Sequence, residues 1–211
     1  MKTLAIFGAS GRTGQHLVEQ ALAQGYSIRA LVRTPERFTL SHPKLTVIKG
    51  DVLDSVAVKS VVEHSDAVVS VFGHVKKSPP RVQTEGTKNI VKAMHQVGVS
   101  KIVSLSGGAL PYPKRDKPKV ADHLIRFIMR TVAANMVNDA IEHAKLLEKS
   151  GLQWVIVRAP RLLDAPRKNH YREGWVGVNS STSIARADLA DFILKQVTDT
   201  RYHGQMPMVS W

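Results

Sequence analysis

The sequence predicts an α/β fold in which a single domain carries a doubly wound parallel sheet. Three observations point there. Segments of strand type and helix type alternate through most of the 211 residues. The strand segments are continuous apolar, β-branched runs, as expected of strands covered on both faces. The first of them stops at a glycine, two more glycines follow at fixed spacing, and a helical pattern begins at once. Alternation of this kind gives parallel strands joined by right-handed crossovers.

Taken in order, residues 3–7 form the first strand, and residues 12–24 place Leu17, Val18, Ala21 and Leu22 on one helical face. A second strand occupies 27–32, and further strands are expected at 45–48, 67–72, 101–105 and 154–157. Helical patterns fill 55–63, 81–96 and 121–149, with Asp54 placed to cap the helix that starts at Ser55. Past Pro160 the regularity weakens. Residues 158–180, rich in Pro, Gly, Arg and Asn, read as a substrate-side excursion, and residues 111–135 as an enlarged segment. A last amphipathic helix over 186–196, announced by Ser183, buries Leu189, Phe192 and Ile193, with Val197 just beyond, and residues 205–209 suit a final short strand. No repeat, low-complexity tract or long linker divides the chain, so residues 1–211 are expected to form one domain.

Hydrophobic residues make up 43% of the chain and charged residues 22%, ordinary values for a globular protein. The absence of cysteine excludes disulfides and thiolate chemistry and fits the cytoplasm. No stretch approaches the roughly 20 apolar residues of a membrane span, and no signal-peptide pattern precedes the first strand. A membrane is therefore not an expected partner. The formal net charge of +13 raises nucleic acid as a partner. Yet the basic residues are dispersed, except in Lys114-Arg115-Asp116-Lys117-Pro118-Lys119, which reads as a solvated loop. A basic surface attracting small anionic ligands is the simpler account. The nine histidines are scattered over different elements, so no metal site is expected. His74 follows a strand and is either a general acid or a loop histidine, whereas Asp139, Glu142 and His143 are expected on an exposed polar stripe.

The chemistry is expected where strands end. Gly8-Ala9-Ser10-Gly11-Arg12-Thr13-Gly14 has the glycine spacing of a dinucleotide fingerprint in Rossmann-type folds. Gly8 makes the turn, Gly11 admits a pyrophosphate, and Gly14 lets helix and strand pack closely, while the helix start supplies N–H groups and a positive dipole end. Ser10 and Thr13 belong to the same turn. An NAD site usually ends its second strand with an acidic residue that binds the ribose 2′-hydroxyl. Arg33 stands there instead, and a guanidinium suits the 2′-phosphate of NADP. Arg37 and Arg12 are candidates for the same phosphate or for ordinary surface. Asp51 and Val52 are expected to flank the adenine, or Asp51 to serve a cap or turn, and Gly73, with Phe72 before it, either to pass beside the cofactor ribose or simply to turn a loop.

Together with Leu31-Val32-Arg33, Gly50-Asp51-Val52-Leu53, Asp66-Ala67-Val68, Glu85-Gly86-Thr87-Lys88-Asn89-Ile90-Val91 and Ser150-Gly151-Leu152, the glycine turn resembles the atypical short-chain dehydrogenase/reductase group. The branch it is most similar to is the NAD(P)H-binding, NmrA-like one, of the biliverdin reductase B/flavin reductase type. The resemblance implies NADPH binding and hydride delivery to a planar conjugated acceptor: a flavin such as FMN or FAD, a quinone or a tetrapyrrole. Short-chain dehydrogenases generally use a Tyr-x-x-x-Lys pair for proton transfer, and those stations fall near Met136 and Ala140, which can move no proton. The serine and histidine of the flavin-reductase type correspond here to Gly107, with Ser106 before it, and to Arg161. Ser106 is thus a candidate to bind the nicotinamide or acceptor, or else a turn hydroxyl. Arg161 is a candidate to hold an anionic substrate, or else a surface residue. The missing pair also allows a non-catalytic NADP-binding sensor or interaction protein.

Overall fold

A computed structural model describes residues 2–75 and 78–211. Its elements are β1 (Thr3–Phe7), α1 (Arg12–Ala23), β2 (Ser27–Val32), β3 (Leu45–Lys49), α2 (Ser55–Val62), β4 (Ala67–Ser70), α3 (Val82–Val97), β5 (Lys101–Gly107), α4 (Val120–Val132), α5 (Ala134–Glu148), β6 (Gln153–Ala159), β7 (Arg161–Leu163), β8 (Arg172–Gly174), β9 (Ser183–Ala185), α6 (Arg186–Lys195) and β10 (Met208–Ser210). The main sheet runs β3-β2-β1-β4-β5-β6-β10-β8, and β7 pairs with β9 separately. All neighbours in the main sheet are parallel except β8, which is antiparallel to β10. Strand order reverses between β1 and β4, which opens a crevice at their carboxyl ends.

Two apolar layers sandwich the sheet. Leu4 and Ile6 of β1 face one layer with Leu17, Val18 and Phe192, from α1 and α6. Ala5 and Phe7 face the other, with Val58, Val61, Ile90 and Leu147 from α2, α3 and α5. Consecutive strand residues therefore go to opposite cores, which explains the unbroken apolar runs. Asp54 caps α2 as expected, its Oδ1 accepting from the N–H groups of Val56 and Ala57.

Several boundaries differ from the sequence reading. The single helix expected over 121–149 is two, broken at Ala133, whose φ of −132° and ψ of 37° are not helical. Strand β4 ends at Ser70, leaving Val71 and Phe72 in the loop. The sixth strand continues to Ala159, so Arg158 belongs to the sheet and is fully buried. Ser183 opens β9 and the helix cap falls to Ala185. The loop around Lys114–Lys119 is anchored: Asp116 is buried against Arg158 and Arg126, and the Lys117 N–H donates to the Val176 carbonyl. The polar stripe is a correction too. Asp139 and His143 are buried because each satisfies polar groups of neighbouring elements.

Candidate functional site

The first turn of α1 begins at Gly11, which has no side chain to cap it, so its N–H groups lack intrahelical acceptors. Gly8 sits at φ 88°, a left-handed conformation suited to glycine. A Cβ on Gly14 would stand 2.0 Å from the Gly8 carbonyl oxygen, so the absent side chain is what lets α1 meet the turn. Above this turn lies a cavity of about 450 Å³ reaching the carboxyl ends of the strands from β3 to β5. Gly8, Ser10, Gly11, Arg12, Thr13, Arg33, Asp51, Val52, Phe72 and Gly73 all line it.

Gly14 and Arg37 lie outside its lining. Gly14 packs beneath the turn, and Arg37 is exposed on the short helical turn 35–37, outside the cavity lining. Arg12 lines the cavity, but Asp164 holds its guanidinium at 2.7 Å, drawing it toward the end of β7. Asp51 commits one oxygen to its own turn by accepting from the Leu53 N–H at 2.9 Å. A Cβ on Gly73 would meet nothing within 4 Å, so no close approach of protein requires glycine there. Gly86 is the glycine that packing demands: a Cβ would lie 2.8 Å from Phe72 and Val52, whose positions in the cavity wall depend on α3 coming that close.

Sequence reasoning missed Arg186. It opens α6, is mostly buried, lines the same cavity and shares Asp164 with Arg12, also at 2.7 Å. An arginine at a helix start more than 150 positions from the glycine turn carries no local signal. The cavity thus gathers Arg12, Arg33 and Arg186 beside a helix N-terminus, a setting for anionic groups.

A second cavity of about 290 Å³ shares Val71, Phe72, Gly73, His74, Leu105 and Leu162 with the first. Met136, Val137 and Ala140 of α5, Met129 of α4 and Ser106 complete much of its apolar wall. Met136 and Ala140 therefore do face the site, and neither carries a transferable proton. Ser106 Oγ is buried with no hydrogen-bond partner among the described residues. Arg161 lies elsewhere, lining a third cavity of about 430 Å³ beneath α4 that adjoins the second through Gly107, Ala109, Met129, Ala159 and Pro160.

His74 lines both the first and second cavities and donates from Nε2 to Asp139 Oδ2 at 2.7 Å. Asp139, on α5, also accepts from the N–H groups of Gln83 and Thr84 and from Thr84 Oγ1, capping α3, whose own Arg81 makes no side-chain cap. Burial works to raise the Asp139 carboxyl, but hydrogen bonds from Thr84, Gln83 and His74 hold it below the usual carboxylate range. His143 lies between Thr87 and Ser104, and burial lowers it to about 4, against the opposing pull of Asp139.

A switch-point crevice, a glycine turn at a helix start and an arginine-lined cavity define a dinucleotide-binding fold of the Rossmann type. The chain belongs to the NAD(P)H-binding family, whose model matches residues 8–200. An uncharacterised chloroplastic protein of Arabidopsis thaliana is 29% identical over 179 residues, covering 79% of this chain and 62% of its own length. A 3-beta-hydroxysteroid dehydrogenase of Mycolicibacterium neoaurum is 32% identical over 46% of this chain and 30% of its own length. The chain thus spans less than two thirds of the curated relatives it matches. In shape it resembles a short-chain dehydrogenase/reductase of Veillonella parvula solved in complex with NADP, with a TM-score of 0.80 at 20% identity over 100% of this chain and 94% of that one. An oxidoreductase of Lactococcus lactis matches equally in shape, at 0.80 with 21% identity, covering 100% of this chain and 90% of that one.

Proposed function

We propose that the chain is an NADPH-dependent reductase of a planar conjugated acceptor, such as a flavin or a quinone. The observation carrying this reading is the junction of the two cavities: a nucleotide-sized, arginine-lined space runs into an apolar one whose lining, among the described residues, holds no tyrosine–lysine pair. Arg33 suits the 2′-phosphate, favouring NADP over NAD, and the first turn of α1 with Arg186 suits the pyrophosphate. When bound, the nucleotide supplies a hydride. The chain's part is to orient an acceptor on the Leu105, Leu162 and Met136 walls, exclude water, and offer the Ser106 hydroxyl as a hydrogen-bond partner. Acceptors whose rings spread the incoming charge need less proton transfer from the protein than an isolated carbonyl does. This fits Met136 and Ala140 in the wall, and it agrees with the likeness to flavin reductases noted from sequence.

Thermal shifts with NADPH, NADH, FMN and FAD, followed by NADPH oxidation assays, test the reading. Stabilisation by NADPH beyond NADH is expected, with turnover on flavins or quinones and none on aliphatic aldehydes or ketones. Tight NADPH binding with no turnover on any acceptor would favour the sensor reading, and failure to bind NADPH would remove both.

A further inference from the structure

Helix α4 faces the wrong way for a helix that covers a core. Val120, Leu124, Phe127, Ile128 and Val132 follow helical spacing along one side, and they are 88%, 59%, 69%, 48% and 81% exposed. No residue of α4 is buried. The side turned to the protein is mixed: Arg126 donates to Asp116 at 2.6 Å, and Asp122, Ile125, Arg126 and Met129 line the cavity beneath. Anchored through Arg126 and Asp116, the helix presents leucine, isoleucine, valine and phenylalanine to the outside, an arrangement that marks an interaction surface.

Cations frame this stripe. Lys114, Arg115, Lys117 and Lys119, all exposed, lead into α4, and Arg130 flanks it. The nearby acids do not neutralise them. Asp116 is taken by Arg158 and Arg126, and Asp122 accepts from the Lys119 backbone N–H. A second copy of this chain would set two such basic rims against each other in a chain of net charge +13, which disfavours self-association through this face.

We propose that α4 and the loop before it dock on the surface of an anionic lipid bilayer, the apolar stripe sinking among the lipids and the lysines and arginines meeting headgroup phosphates. The proposal stands apart from the reductase reading and holds whatever the chain reduces. It also revises the expectation of no membrane partner, which rested on the lack of a spanning stretch. Among the described residues no helix is long and apolar enough to cross a membrane, and a helix lying in the interface needs no such length.

Co-sedimentation of the full chain with vesicles tests this. Binding is expected to phosphatidylcholine vesicles containing phosphatidylglycerol, to fall steeply with added salt, and to be weak on phosphatidylcholine alone. The variant Leu124→Ser/Phe127→Ser should bind anionic vesicles about tenfold or more weakly. Lys114→Gln/Lys117→Gln/Lys119→Gln should lose the preference for anionic lipid. Both sets lie on the exposed surface, and an unchanged melting temperature and circular-dichroism spectrum would verify that each variant is folded. No binding to either vesicle, or binding unaffected by both variants, would overturn the proposal. So would a concentration-dependent dimer that Phe127→Ser dissolves without any vesicle binding.

Discussion

Arg158 grips Asp116 with both ends of its guanidinium, Nη2 to Oδ1 at 2.7 Å and Nη1 to Oδ2 at 2.9 Å. The arginine is fully buried in the sheet, and its partner lies in the loop ahead of α4. Burial tends to raise the Asp116 carboxyl, but the hydrogen bonds and charge of Arg158, with Tyr112 and Arg126, bring it below its ordinary value. Asp116→Ala would leave a buried cation unpaired and should cost about 3–5 kcal/mol in urea unfolding. Adding Arg158→Met should recover much of that loss, since the penalty belongs to the orphaned charge. A loss below about 1 kcal/mol for the single variant would show the pair to be idle.

Arg33→Asp should separate the two nucleotides. Removing the guanidinium and adding a carboxylate is expected to weaken NADPH by about 1.5–3 kcal/mol while changing NADH little. Calorimetric titration with each nucleotide checks it. Equal weakening of both would mean that Arg33 does not read the 2′-phosphate.

Two glycines should respond in opposite ways. In Gly14→Ala the new methyl would meet the Gly8 and Ala9 carbonyl oxygens at 2.0 and 2.8 Å, so α1 must shift. A loss of about 1–3 kcal/mol or more in stability is expected, with NADPH binding lost alongside. Gly73→Ala meets nothing within 4 Å and should stay within about 0.5 kcal/mol of the parent. Chemical denaturation of both variants makes the comparison.

His143 makes stability fall with acid. Its folded value near 4 lies below the ordinary 6.5, so the unfolded chain binds the proton first as pH drops. The stability is fully present above about pH 6.5 and is lost toward pH 4, with this residue contributing up to about 1.4 kcal/mol per pH unit. His143→Gln should flatten the curve across that window while lowering stability at neutral pH. A parent curve level between those values would show that the residue is not held neutral.

The sheet and the glycine turn were legible because their signals are local. A strand with a core on each side must be apolar throughout, and a turn that meets a helix start needs glycine at set offsets. The three-residue strands β7, β8 and β9 are too short to show a period, and the break at Ala133 has neither proline nor glycine to announce it. Long-range polar partners were hidden for another reason. Asp139 reads as a surface residue until α3, 55 positions earlier, places the Thr84 N–H against it. Residues lining the cavity beside strand ends could be named in advance, but Arg186 and the His74–Asp139 contact arise only from the packing of distant helices.

The carboxylate shared by Arg12 and Arg186 has a consequence for how an anion arrives. Asp164 is more than half exposed, with each arginine 2.7 Å from one of its oxygens. It acts as a shared counterion that offsets the mutual repulsion of the two guanidinium groups and orients both side chains. An incoming anion would lose less to the freezing of these long side chains, while competing with a neighbour already in place. Asp164 thus trades strength of attraction for readiness, and a weak anion gains little by displacing it.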